Sequence, residues 1–294
     1  MSDINLPTGL RRVEDLWFPD ADLIFRAEDT FFRLYGNFLG ARSSVFRDMV
    51  AFPQPPVADG DSIDGIPIVR LHDSAAEVEV FLRAVFDSSF FMPPPAPVDF
   101  ATVIGVLRLA HKYDVRYLFR RALSHLDSLH PTDLPVFLET ASIFAKHHVH
   151  YPPGIVTDLI VLRVASEVGA IWILPTAYYN VCTYTIPEML AAGEPWRTLG
   201  PHEQQICLTF YPEMIRAMAS IHGYLNFIPQ ESCLSTQSCA VTVSEARGVM
   251  LNGIADSWGS DSLSELPFDG LCSQCSSIAQ DPHAAAQEQF WDPG

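Results

Sequence analysis

Apolar positions change their spacing along this chain, and the changes outline its elements. Ala21-Asp-Leu-Ile-Phe-Arg-Ala-Glu-Asp29 is apolar in its first half and closes on two acids, and Thr30-Phe-Phe-Arg-Leu-Tyr-Gly36 follows. Two apolar runs parted by so short a polar break predict a β-hairpin. Residues 37–50 then read as a helical turn and a short helix, with Ser43 or Ser44 as N-cap. Pro53, Pro55, Pro56 and Gly60 break the chain before Ile66-Pro-Ile-Val-Arg-Leu71 resumes as a strand. Ser74 can cap the next helix, with Glu77 placed to complete a capping box. In that helix Val78, Phe81, Leu82, Val85 and Phe86 fall on one face.

Pro93, Pro94, Pro95 and Pro97 form a rigid break. Val103, Val106, Leu107 and Ala110 mark one further amphipathic helix, and Val115, Leu118, Phe119, Ala122 and Leu126 mark another. Lys112-Tyr113-Asp114 is the joint between them. Leu10 to Phe18 has no clean alternation, so no strand is expected there. Strand, strand, two short helices, strand and three helices make an α+β plan: a small sheet with helices segregated on it. From Asp133 onward no strand is expected. Leu134 to His147, Val156 to Ile173 and Glu203 to Tyr224 have helical spacing, and Pro212 should kink or split the last of these.

Composition agrees with a packed protein, at 48% hydrophobic and 18% charged residues over 294 positions. The formal charge of −17 would repel phosphate backbones, which argues against nucleic acid as a partner. Residues 230–294 carry 9 acids against 1 base and few apolar anchors, which sets them apart. Three regions are therefore expected: 1–130, an α-helical segment over 131–229, and an acidic tail over 230–294. Met1 to Phe18 has no apolar core of a secretory signal. Asp158, Arg163 and Glu167 interrupt the most apolar stretch, Ile155 to Val181, too often for a membrane span. The expectation is an intracellular protein, cytoplasmic or nuclear, with no membrane partner.

The usual catalytic spacings are absent from the sequence: no Gly-x-Ser-x-Gly, no Gly-x-x-x-x-Gly-Lys-Ser/Thr and no Gly-x-Gly-x-x-Gly. His202-Glu203 opens like a zincin helix, but Ile206 stands where the second ligand belongs. His147, His148 and His150 cluster at the end of a predicted helix, where positive charge complements the carbonyl end of the dipole. The constellation with chemical content is Cys233, Cys239, Cys272 and Cys275. Cys272-Ser-Gln-Cys275 can hold a tetrahedral zinc through a tight turn, and a core-poor acidic tail gains order from such a metal. Unligated thiols and a redox pair stay open as alternatives, although no strand is expected before Cys272, where a redox motif would place one. Cys182 and Cys207 lie in apolar helical contexts and read as small buried hydrophobes. Phe290-Trp291 reads either as an anchor packed on the tail or as an exposed partner motif.

Taken in order, these stretches resemble the BTB/POZ domain. The resemblance rests on the hairpin with Asp22, on Leu39, Ser43, Phe46 and Met49 within Phe38–Met49, on Ile68–Asp73, and on Ala110, Lys112 and Tyr113 within Leu107–Val115. It covers roughly residues 14–130. The helical segment and Cys-containing tail that follow are similar to the long fungal members of that family. The resemblance implies a protein–protein interaction module without catalytic activity, acting by homodimerisation or by partner recruitment through helix and strand-edge contacts. Leu39, Phe46, Met49, Leu107, Ala110 and Tyr113 are expected in the core. A substrate adaptor of a cullin-type ubiquitin ligase is the alternative, but Ser88–Pro97 lacks the hydrophobic-x-Glu signature of such adaptors. A metal-dependent enzyme built on His147, His148 or His150 is the second alternative.

Overall fold

The computed structural model describes residues 9–51, 62–137, 149–221, 232–245 and 270–291. The chain divides into two compact units, one of Met1–Ser128 with His148–Tyr151, the other of Leu129–His147 with Pro152–Gly294. The class is α+β, as the sequence predicts. The expected segments 131–229 and 230–294 share the second unit.

The first unit is built on a five-stranded sheet: β1 (Arg11–Trp17), β2 (Leu23–Ala27), β3 (Thr30–Leu34), β4 (Ser62–Ile63) and β5 (Ile66–Leu71), in spatial order β1-β3-β2-β5-β4. β2 and β3 form the predicted hairpin, closed by Glu28 at φ +50. β2 also pairs in parallel with β5. β3 is buried at every position, its polar Thr30 and Arg33 included, and so shows no alternation of buried and exposed residues. Its buried Arg33 is satisfied there: Nε donates to the Ala21 carbonyl and Nη1 pairs with Asp64 at 3.0 Å.

β1 corrects the sequence reading, which expected no strand over Leu10–Phe18. It pairs in parallel with β3, but Arg12 faces Phe31 while Trp17 faces Arg33, so the register shifts between them. The residues added on β1 place Val13 and Leu16, both buried, three positions apart. A bulge of this kind destroys the two-residue period that would have revealed the strand.

Helices α1 (Gly36–Arg42) and α2 (Ser44–Ala51) follow the hairpin. Asp22 accepts from the Gly36 N–H at 2.8 Å, tying the hairpin to the start of α1. Ser43 caps α2 by accepting from the Phe46 N–H at 3.0 Å. Ser74 caps α3 (Ala75–Phe86), accepting from the Glu77 N–H. The Glu77 carboxylate pairs at 2.6 Å with Arg108 on the next helix, so only half of the expected capping box forms. α4 (Phe100–Lys112) packs against α3 and against α5 (Arg116–Asp127). α3 and α4 meet closely at Gly105, where a Cβ would lie 2.9 Å from Val80 Cγ2. A two-residue strand β6 (Val98–Asp99) pairs in parallel with β7 (Val149–His150); like the two-residue β4, neither was predicted from the sequence, and β7 corrects the expectation of no strand after Asp133. Two residues are too few to show a period.

The second unit contains α6 (Ile155–Glu167), α7 (Leu174–Cys182), α8 (Ile186–Ala191), α9 (Glu194–Arg197), α10 (Pro201–Ile221) and α11 (Ser273–Trp291), with further helix over 134–137 and 236–245. The expected helix over 156–173 stops at Glu167. Gly169, at φ +71, ends it by donating to the Ser166 carbonyl while Ala170 N–H reaches Ala165. Pro212 lies inside α10 without splitting it. Among the described residues no helix is long and apolar enough to cross a membrane.

Stretches of the first unit that are distant in sequence meet at Tyr113. Its ring stacks on Phe46 with centroids 4.5 Å apart and lies 5.8 Å from Phe81. Its hydroxyl donates to Asp73 at 2.6 Å, and its carbonyl accepts from the Ser43 hydroxyl. Burial and the neighbouring Asp73 carboxylate hold the phenol far above its ordinary range, so the group remains a donor. Tyr113→Phe is expected to lower stability by about 2 kcal/mol in urea unfolding, the scale of a hydrogen bond to a charged acceptor. A loss below about 0.5 kcal/mol would show that the hydroxyl is not holding this junction.

Candidate metal centre

The tail supplies four sulfurs from two helix beginnings. Cys233 precedes the helical segment over 236–245, and Cys239 lies in its first turn, with its N–H donating to the Ser235 carbonyl at 2.9 Å. Cys272 immediately precedes α11, and Cys275 occupies that helix's first turn. The helical rise folds each pair back so that its two thiols turn to one side, which is what the Cys-x-x-Cys spacing requires. The wider spacing of Cys233 and Cys239 works because irregular backbone lies between the first cysteine and the helix.

All four sulfurs lie within 4.8 Å of one another. The Cys233 and Cys272 sulfurs are 3.8 Å apart, and those of Cys275 and Cys233 are 3.4 Å apart. A tetrahedral zinc with bonds of about 2.3 Å sets its sulfurs about 3.8 Å apart, so the cluster has the size of such a site. Cys239 and Cys275 are buried and Cys233 and Cys272 half-buried. Four sulfur donors leave no position for a water or a substrate, the pattern of a structural site.

Backbone donors already support negative charge here. The N–H groups of Cys275 and Leu234 point at the Cys272 sulfur and bring its thiol down to about 6. The Cys272 N–H in turn donates to the Cys239 sulfur at 3.2 Å. Burial pushes the Cys275 thiol up, because closely spaced sulfurs cannot all ionise without a cation among them. Cys272 does begin a helix, one half of the redox signature; no strand precedes it among the described residues.

The remaining candidates separate cleanly. Cys182 and Cys207 are fully buried, and Cys182 donates to the Cys207 carbonyl. That pairing and burial push the Cys182 thiol far up, so it behaves as the small hydrophobe expected. His147 and His148 lie outside the described residues. His150 is exposed on β7, and among the described residues the four cysteines alone gather as a metal-ligating group. Of the expected core residues, Leu39, Phe46, Leu107, Ala110 and Tyr113 are buried; Met49 is only half-buried, lining a small hollow with Val50 and Val69.

The end of α11 was legible only as a choice between anchor and partner motif. Trp291 Nε1 donates to the Thr132 carbonyl at 2.8 Å, and its ring lies 4.8 Å from that of Phe137. The tryptophan thus fastens the tail to the beginning of the helical segment rather than to the tail itself. α11 is consequently fixed at both ends, by two cysteines and by an indole, over 19 residues or roughly 28 Å. Trp291→Ala is expected to destabilise the protein by about 3 kcal/mol, through lost packing and a lost donor, read by thermal or urea unfolding. An unchanged midpoint would contradict the anchoring role. No protein-family model and no curated protein matches the chain, so the reading of this centre rests on its own geometry.

Proposed function

We propose that this chain is a non-catalytic protein-interaction protein of BTB/POZ type, whose first unit binds a second copy of itself or a recruited partner. Its second unit is held by one structural zinc on Cys233, Cys239, Cys272 and Cys275. The observation that carries the reading is the junction at Tyr113. Three stretches that resemble the family in sequence, those of Ser43 and Phe46, Asp73, and Lys112 and Tyr113, are neighbours in space. Ser43 and Tyr113 are joined by a hydrogen bond, as are Asp73 and Tyr113, and Lys112 pairs with Asp73 at 2.6 Å.

The surface above this junction supports an interaction role. Tyr35, Phe38 and Tyr117 are each more than a third exposed. Arg42 lies over both Phe38 and Tyr117, at 5.4 and 5.8 Å from the ring centroids, and Phe38 rests on Phe86. Tyrosine, phenylalanine and arginine are the side chains that concentrate at interface centres. A face carrying both aromatic rings and the cations that stack on them is complementary to itself, which suits a two-fold contact between identical chains. The ligase-adaptor alternative gains nothing from the loop after α3: it lacks glutamate, and Phe91 in it is fully buried against His125.

Native mass spectrometry of the full chain reads both halves of the proposal. The expected species is a dimer of the 32.7 kDa chain with one zinc per chain. Phe38→Glu should give a zinc-loaded monomer, and the Cys272→Ser/Cys275→Ser double variant should lose the metal. A wild-type monomer that also captures no partner through this face would overturn the interaction reading. A metal-free wild-type chain, purified without chelator, would overturn the zinc.

A further inference from the structure

The second unit contains a cavity of about 410 Å³, a volume typical of small-molecule sites. Its wall is strongly aromatic: Tyr178, Tyr179, Phe210 and Trp291 line it, with Ile206 and Thr176 between them. These rings come from three separate helices, α7, α10 and α11, so the fold, rather than one local turn, assembles them. Several are held in place before any ligand arrives. The Trp291 indole is fixed by its bond to the Thr132 carbonyl, and the Tyr179 ring stands edge-on to Phe137 at 5.5 Å and 90°.

Four rings around a cavity favour one of two occupants, an apolar molecule or a cation received on ring faces. Charge decides between them. No lysine, arginine or histidine is among the described residues of the wall. Glu203 lies one helical turn before Ile206 and Cys207 on α10, bound by the Ser166 hydroxyl at 2.6 Å. Burial raises the Tyr178 phenol on the wall to about 12, and the negative potential of Glu203 adds to the rise. Acids also outnumber bases by 8 to 4 over residues 131–229 and by 9 to 1 beyond them. A cation entering here meets four aromatic rings and a negative field, whereas an anion is repelled.

We propose that this cavity is a binding site for a small organic cation of the quaternary-ammonium class, of about the size of choline. A trimethylammonium group suits it because such a cation is weakly hydrated, cannot donate hydrogen bonds, and is held by the electrostatic attraction of aromatic faces. The site is independent of the interaction face on the first unit. It does depend on α11, since Trp291 stands at that helix's end.

Ligand-observed NMR titration of the full-length, zinc-loaded chain tests the assignment with choline and with its neutral carbon analogue, in which a tert-butyl group replaces trimethylammonium. Choline is expected to bind roughly tenfold more tightly than the analogue. Tyr178→Leu, which keeps bulk and removes a ring, should abolish that preference, and Glu203→Gln should weaken choline while leaving the analogue unchanged. Equal binding of the two probes would show a merely apolar cavity and overturn the proposal, as would no binding of either by a folded chain. A peptide carrying trimethylated lysine that bound more tightly than choline would overturn the small-molecule assignment in favour of a modified protein.

Discussion

The first unit depends on a single buried residue that has to satisfy four neighbours at once. Tyr113 sits at the bend between α4 and α5, where Asp114 takes up φ +52 and the chain reverses. Its ring fills the space between Phe46 and Phe81, its hydroxyl reaches the end of β5 at Asp73, and its carbonyl receives the Ser43 hydroxyl from the start of α2. Together these contacts fix α2, α3 and the end of β5 relative to the α4–α5 turn. Polar groups buried this deeply are costly unless satisfied, so the arrangement selects one packing of helices on the sheet. Ser44 adds a second tie to the same bend by donating to Asp114 at 2.6 Å.

The second unit has a different foundation. Its helices α6 and α7 bury ordinary aliphatic side chains, but the tail has little apolar surface with which to join them. An indole at the end of α11 supplies one such tie, to the Thr132 carbonyl, and cysteines from the beginnings of two helices gather in a cluster. Bringing four sulfurs within 4.8 Å concentrates potential negative charge, which a bound cation would relieve.

Legibility in the sequence followed the length of each pattern. The hairpin and β5 stood out as short apolar runs bounded by turn residues, α3, α4 and α5 each repeat their helical period several times, and the cysteine set was visible from spacing alone. β1 was hidden because its bulge sets Val13 and Leu16 three apart, which resembles neither a strand nor a helix. β7 escaped because two paired residues carry no period. Glu77 satisfied the capping-box pattern, yet an arginine on the neighbouring helix competed for its carboxylate. Gly169 divides a long apolar stretch through backbone geometry, which hydrophobic spacing cannot report. Trp291 could not be placed, because its partners lie more than 150 positions away, at Thr132.

Both units present organised features: an aromatic and arginine-bearing face on the first, and a sulfur cluster and an aromatic cavity on the second. The central claim is that the first of these faces is where the chain meets another. Hydrogen–deuterium exchange measured on dilute and concentrated samples of the full chain localises that contact directly. The account predicts that protection rises with concentration in peptides covering residues 35–42 and 117–121 and stays constant across β2 and β3. Protection that is independent of concentration in those peptides, while other surfaces gain it, would contradict the account.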